Sequence, residues 1–222
     1  MRKTVVALLA LAAGSANADF LVTEIYIGLT GENGTQDWFE ITNVGGDGEL
    51  DTGILSYDDG SNPSIVNAGQ LDSFILADGE SAVFLIADTI NDVDDNQNFN
   101  DAVLEFEAVW GRTGKVGITN GGGTLNPSND AINLSDDDGA IFFYSLSYTS
   151  GFFNSGATID NVNGLTPSVL GVNGAFESAP FFNDNIGDAN NSFTLIGSPG
   201  QIPAPASAAL FGLAGLAAGR RR

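Results

Sequence analysis

The feature that most constrains this chain is how soon its apolar runs are cut off. Runs rich in Val, Ile, Leu, Phe and Tyr end at Gly, Asn or Asp, and Gly alone numbers 29. Gly, Asn and Asp supply the backbone shapes of turns, whereas β-branched and aromatic residues fit a pleated surface. Phe20-Leu21-Val22-Thr23-Glu24-Ile25-Tyr26-Ile27 reads as a strand. So does Asp37-Trp38-Phe39-Glu40-Ile41-Thr42-Asn43, with Trp38, Glu40 and Thr42 on one face and Phe39 and Ile41 on the other. Ser81-Ala82-Val83-Phe84-Leu85-Ile86-Ala87 is an unbroken apolar run, as a central buried strand requires. Val103-Leu104-Glu105-Phe106-Glu107-Ala108-Val109-Trp110 is a further strand candidate. Ala131-Ile132-Asn133-Leu134 and Ala140-Ile141-Phe142-Phe143-Tyr144-Ser145-Leu146 flank an Asp138-Gly139 turn and read as a hairpin. No middle segment shows a helical period over a dozen residues. The expectation is an all-β fold, a β-sandwich.

The two ends read differently from the middle. Arg2 and Lys3 precede the apolar residues 5–13, and Ala16-Asn17-Ala18 precedes Asp19. That order is a secretory signal peptide, with Ala16 and Ala18 as the small residues of the cleavage site and cleavage before Asp19. At the other end come Pro203-Ala204-Pro205, an uncharged apolar stretch over 206–219, and Arg220-Arg221-Arg222. Terminal arginines favour the cytoplasmic side of a membrane, so this tail is expected to lodge in the membrane as a helix. The arrangement resembles the PEP-CTERM sorting signal, with Ala204 where that family usually has Glu. The resemblance implies an exosortase-type processing enzyme acting near Pro203 and Pro205. It also implies release to the cell surface or extracellular matrix. The expected plan is a signal peptide over 1–18, one domain over 19–200 and a sorting tail over 201–222.

Charge narrows the partners. Of the seven Lys and Arg, only Arg112 and Lys115 lie outside the two ends, against 28 Asp and Glu, which leaves the domain at −26. Nucleic-acid binding needs a basic footprint, and this domain lacks one. Cations, neutral glycans and other proteins remain suitable. The chain has no Cys and no His. Thiolate nucleophiles, His-based triads and Cys/His zinc sites are therefore excluded.

Several segments, taken in order, resemble the lamin-tail domain, an immunoglobulin-like sandwich. They are Val22-Thr23-Glu24-Ile25-Tyr26, the strand from Asp37 to Asn43, and Leu76-Ala77-Asp78-Gly79-Glu80 with the strand after it. Asn129-Asp130-Ala131-Ile132-Asn133-Leu134 followed by Asp136 to Gly139 and Ser147-Tyr148, and then Ile196-Gly197-Ser198-Pro199-Gly200, complete the set. Residues 149–192 have no counterpart and read as an insertion.

Candidate chemistry concentrates in acidic loops. In residues 88–101, Asp92, Asp94 and Asn96 stand at positions 1, 3 and 5 of an EF-hand-like spacing, with Asp95 between them. Position 6 is Gln97 and position 12 is Val103, which excludes an EF-hand. A calcium site of another geometry and a solvated polar loop both stay open. No cofactor is required. Gly111-Arg112-Thr113-Gly114-Lys115 lacks the spacing of a phosphate loop; its cations suit ion pairing with nearby carboxylates, or simple exposure. Glu40 is the first carboxylate to test for glycan hydrolysis, which needs two acids across a cleft. The expected function is non-enzymatic: a structural or adhesive surface protein placed among extracellular polysaccharides. A calcium-dependent glycan- or protein-binding module and a carboxylate hydrolase of glycans are the alternatives.

Overall fold

The computed structural model describes residues 20–27, 37–45, 48–60, 68–86, 99–112, 114–126, 128–136, 142–149, 157–162, 164–182 and 192–201. The signal and tail residues Ala16, Ala18, Pro203, Pro205, Arg220, Arg221 and Arg222 lie outside them, as do Asp92, Asp94, Asp95 and Asn96. Among the described residues no helix is long and apolar enough to cross a membrane.

The fold is mostly β, built on one ten-stranded mixed sheet that curls into a half-barrel. Its strands are β1 (Phe20–Tyr26), β2 (Trp38–Asn43), β4 (Leu55–Asp58), β5 (Gly69–Leu71), β7 (Ser81–Ile86), β8 (Val116–Asn120), β9 (Asp130–Asp136), β10 (Phe142–Tyr148), β11 (Ile159–Asp160) and β12 (Thr166–Pro167). Across the sheet the order is β10-β9-β4-β5-β8-β7-β2-β1-β11-β12. Three small two-stranded sheets accompany it. They pair β3 (Leu50–Asp51) with β6 (Ile75–Leu76), β13 (Phe176–Glu177) with β16 (Ile196–Gly197), and β14 (Phe181–Phe182) with β15 (Ser192–Phe193). The expected sandwich of two separate sheets is thus replaced by one continuous sheet. Its curl still does a sandwich's work: Phe39 and Ile41 of β2 meet Tyr57, Ile132 and Leu134 from β4 and β9 in a single core.

A second correction concerns Val103 to Trp110. This segment is not a strand but most of the helix α1 (Phe99–Trp110). Its buried residues are Ala102, Phe106, Val109 and Trp110, spaced i, i+4, i+7 and i+8, while Leu104 is 60% exposed. The helical stripe is therefore present, but the two-residue alternation around Glu105 and Glu107 masks it. Topology settles the competition. β7 and β8 pair in parallel, and parallel neighbours need a long crossover that a helix fills. Gly111 follows at φ +62, the left-handed turn that commonly ends a helix.

The helix covers the convex face of the sheet. Trp38, Val83 and Leu85 pack there with Phe106, Trp110 and Val116. Trp38 meets Phe106 and Trp110 edge-on, at centroid separations of 5.5 and 6.0 Å. Ala82, Phe84 and Ile86 point the other way, into the concave core. This two-sided burial is the reason β7 reads as an unbroken apolar run. At the end of β2, buried Asn43 donates from Nδ2 to the carbonyls of Gly48 and Leu76, at 2.7 and 2.9 Å. The turn at 77–80 closes with the Glu80 N–H donating to the Ala77 carbonyl at 2.9 Å, and Gly79 supplies φ +79. β9 and β10 pair antiparallel as the hairpin pattern requires, although the Asp138-Gly139 turn lies outside the described residues.

Candidate functional site

β1 carries an irregularity in register between Val22 and Glu24. Bulges of this kind re-aim side chains. Here the sequence neighbours Thr23 and Glu24 both turn toward the polar residues of β2. Glu24 stands directly opposite Glu40, and on its other side opposite Asp160 of β11. Three carboxylates therefore form one line across adjacent strands, with Cβ atoms of each opposed pair roughly 4.5–5.5 Å apart. Glu24 and Glu40 are each 1% exposed, and Asp160 is 8% exposed.

Each acid has its own set of donors. Glu40 accepts from the Thr23 hydroxyl at 2.6 Å and from the Gly200 N–H. Glu24 accepts from the Thr158 hydroxyl, from the Ser198 N–H at 2.8 Å and from the Ser198 hydroxyl at 3.2 Å. Thr42 links Thr23 to Ser81 through hydroxyl contacts of 2.9 and 2.8 Å. Burial raises the carboxyl of Glu24 well above the usual range, and the charge of Glu40 opposite raises it further. Burial also raises Glu40, while the bonds from Thr23 and Gly200 and the charge of Arg112 pull it down. Two acids so coupled titrate as a unit.

The segment 196–200 seals this line from above. Gly197 has no room for a side chain, since a Cβ would lie 2.8 Å from Glu24 Oε1, Thr158 and Trp110. At Gly200 a Cβ would fall 0.6 Å from Arg112 Nη1, and φ there is +75. The guanidinium thus lies directly against the Gly200 backbone. It donates from Nη2 to the Ser81 carbonyl at 3.1 Å, while its buried Nε has no hydrogen-bond partner among the described residues. Burial lowers the pKa of Arg112, and Glu40, Glu24 and Glu80 act against that shift. Lys115 forms an ion pair with Glu80 and donates to the Ile75 carbonyl at 2.8 Å. Lys115 therefore meets a carboxylate directly, whereas Arg112 bonds a backbone carbonyl and feels its carboxylates only through their charge. Both cations line an open cleft of about 490 Å³ with Trp110, Phe176 and Gln201.

A second cleft, of about 440 Å³, holds Asp59, Asn126 and Asp130. Burial, then the charges of Asp130 and Asp58, push Asp59 up to about 6. The run Gly121-Gly122-Gly123, at φ +98, +101 and +85, lets backbone lie against this group. A Cβ on Gly123 would come within 2.4 Å of the Asp59 carboxylate. Among the described residues no three acidic side chains gather closely enough to hold a metal ion.

Of the residues singled out by sequence, Glu40, Arg112 and Lys115 come together around the first cleft. Glu40 is sealed beneath it, so in this conformation it does not reach a substrate. Glu24, Asp160, Thr158 and Ser198 join the same cluster and were not anticipated. The available signal was a Glu at the centre of each of two apolar strands, with Thr23 next to Glu24 and Thr42 two residues after Glu40. No protein-family model, no curated protein and no solved structure matches the chain.

Proposed function

We propose that this chain is an exported cell-surface or extracellular-matrix protein with a structural or adhesive role. Its domain is read as a lamin-tail-like relative of the immunoglobulin-like sandwich in which the two packed faces are joined as one curled sheet. The observation that carries the non-enzymatic reading is the use made of Glu24 and Glu40. They lie 1% exposed and accept hydrogen bonds from Thr23, Thr158, Ser198 and Gly200. Such carboxylates fasten a chain segment; a hydrolytic pair stands open across a cleft. Support for the lamin-tail reading comes from how the resembling segments meet. The strands with Glu24 and Glu40 are neighbours, the strand after Glu80 pairs with the second, and the Ser198-Pro199-Gly200 segment lies on both acids.

Export rests on the two ends of the sequence. Signal peptidase acts at Ala16-Asn17-Ala18, and an exosortase-type enzyme acts near Pro203 and Pro205, after a transient stay of the tail in the membrane. Extracellular polysaccharide is the surrounding partner. Mass spectrometry of the protein in a bacterial host carrying an exosortase tests this. A surface-exposed product that starts at Asp19 and lacks Arg220, Arg221 and Arg222 is the expected result. A cytoplasmic product retaining Met1 overturns it.

The calcium-dependent binding reading is favoured by one observation, the density of oxygen ligands at Asp92, Asp94, Asp95 and Asn96. Thermal unfolding with and without millimolar calcium at fixed ionic strength separates it from the metal-free structural reading. A ligand that binds only the native state raises the transition. If the rise survives replacement of the three aspartates, this loop is not its source.

A further inference from the structure

The ten-stranded sheet ends on two unlike edges. β12 is two residues long and includes Pro167, features that deter a further strand. β10 is seven residues long and holds neither charge nor proline, in a chain with 28 acids. Proteins usually blunt a long edge with charge, proline or a bulge. The bulge in β10 falls at its start, between Phe142 and Tyr144, and from Tyr144 to Tyr148 the strand pairs residue for residue with β9.

That regular stretch, Tyr144-Ser145-Leu146-Ser147-Tyr148, reads the same in both directions. A two-fold axis through Leu146 sets it against the partner's Leu146, Ser145 against the partner's Ser147, and Tyr144 against the partner's Tyr148. Opposed residues in an antiparallel pair share a face. Tyr144 and Leu146 pack against the concave core, while Ser145 and Ser147 are exposed. The match therefore continues the core face of one copy into that of the next and keeps the serines together on the outside. Charge points to the same contact. Two domains at −26 repel each other, and β10 is an edge along which they can meet without adding acid to acid.

We infer that two copies of this chain join antiparallel through β10, centred on Leu146, so that their sheets become one. This rests on the palindrome and the edge, independently of the export reading. An isologous contact of this kind closes as a dimer.

The absence of cysteine makes the test direct. Full-length Ser145→Cys and Ser147→Cys chains, carrying different tags, are mixed and mildly oxidised. Opposed residues lie about 4.5–5.5 Å apart at Cα, within reach of a disulfide. The expected result is a mixed disulfide that exceeds the statistical proportion several-fold. It should also form faster than any product of Thr166→Cys on the β12 edge. The unsubstituted chain should sediment as a monomer–dimer equilibrium that shifts toward dimer as salt is raised. A statistical mixture, cross-linking no faster than that of Thr166→Cys, or a monomer at every concentration and salt level overturns the proposal.

Discussion

Replacing Glu24 with Gln isolates what the buried acid pair does to stability. In the folded chain Glu24 is pushed up to about 8 and Glu40 to about 7, both from an ordinary value of 4.5. The native state therefore holds protons that the unfolded chain has already released. The associated stabilisation is complete below pH 4.5 and is lost as pH rises toward 8. Each proton so retained changes stability by about 1.4 kcal/mol per pH unit. If the pair keeps one more proton than the variant across two units, the loss between pH 5 and 7 is about 3 kcal/mol greater for the parent chain. Gln keeps a carbonyl oxygen for the Ser198 N–H but cannot ionise opposite Glu40. At pH 5 the substitution should be nearly neutral or cost about 1 kcal/mol, the value of a disturbed hydrogen bond. At pH 8 it should stabilise. Urea unfolding at pH 5, 6, 7 and 8, at constant ionic strength, measures both chains against the same background of acidic self-repulsion. Parallel stability profiles would refute the reasoning, because they would mean that Glu24 carries no extra proton in the native state.

Other substitutions probe separate parts of the argument. Tyr57→Phe removes a buried hydroxyl with no partner among the described residues; stability should hold or rise by up to about 1 kcal/mol, and a clear loss in denaturant midpoint would reveal a hidden partner. Gly200→Ala places a methyl on the Arg112 guanidinium at φ +75, whereas Gly114→Ala, at φ +80, meets nothing within 4 Å. The second should cost about 1–2 kcal/mol for the left-handed backbone alone, and the first visibly more, so equal midpoints would contradict the packing described. Trp110→Ala should cost about 3–5 kcal/mol by opening a cavity between α1 and the sheet, with loss of the near-ultraviolet signal of the edge-on indole pair as a second readout.

Most strands were legible because their chemistry is local. β1, β2, β7 and the β9–β10 pair each announce themselves by β-branched and aromatic runs closed by turn residues. Glycines at sharp positions were legible for the same reason: Gly79 sits in a turn that needs its positive φ. The helix was missed because Glu105 and Glu107 alternate with apolar residues, so a two-residue and a four-residue period fit the same letters. Only the parallel pairing of β7 and β8, which the letters do not encode locally, decides between them.

The buried acids illustrate the division best. The sequence alone determined that the chain is β-rich, strongly acidic between its ends, and without thiol or imidazole chemistry, since these follow from residue types and short spacings. It also singled out Glu40. The tertiary structure decided that Glu24 stands opposite it and that a segment some 160 residues further on supplies the closing amides. A lone Glu in a strand has no fixed meaning until its neighbours across the sheet are known. Burial and the hydrogen bonds of distant residues set its charge, its access to solvent and so its use.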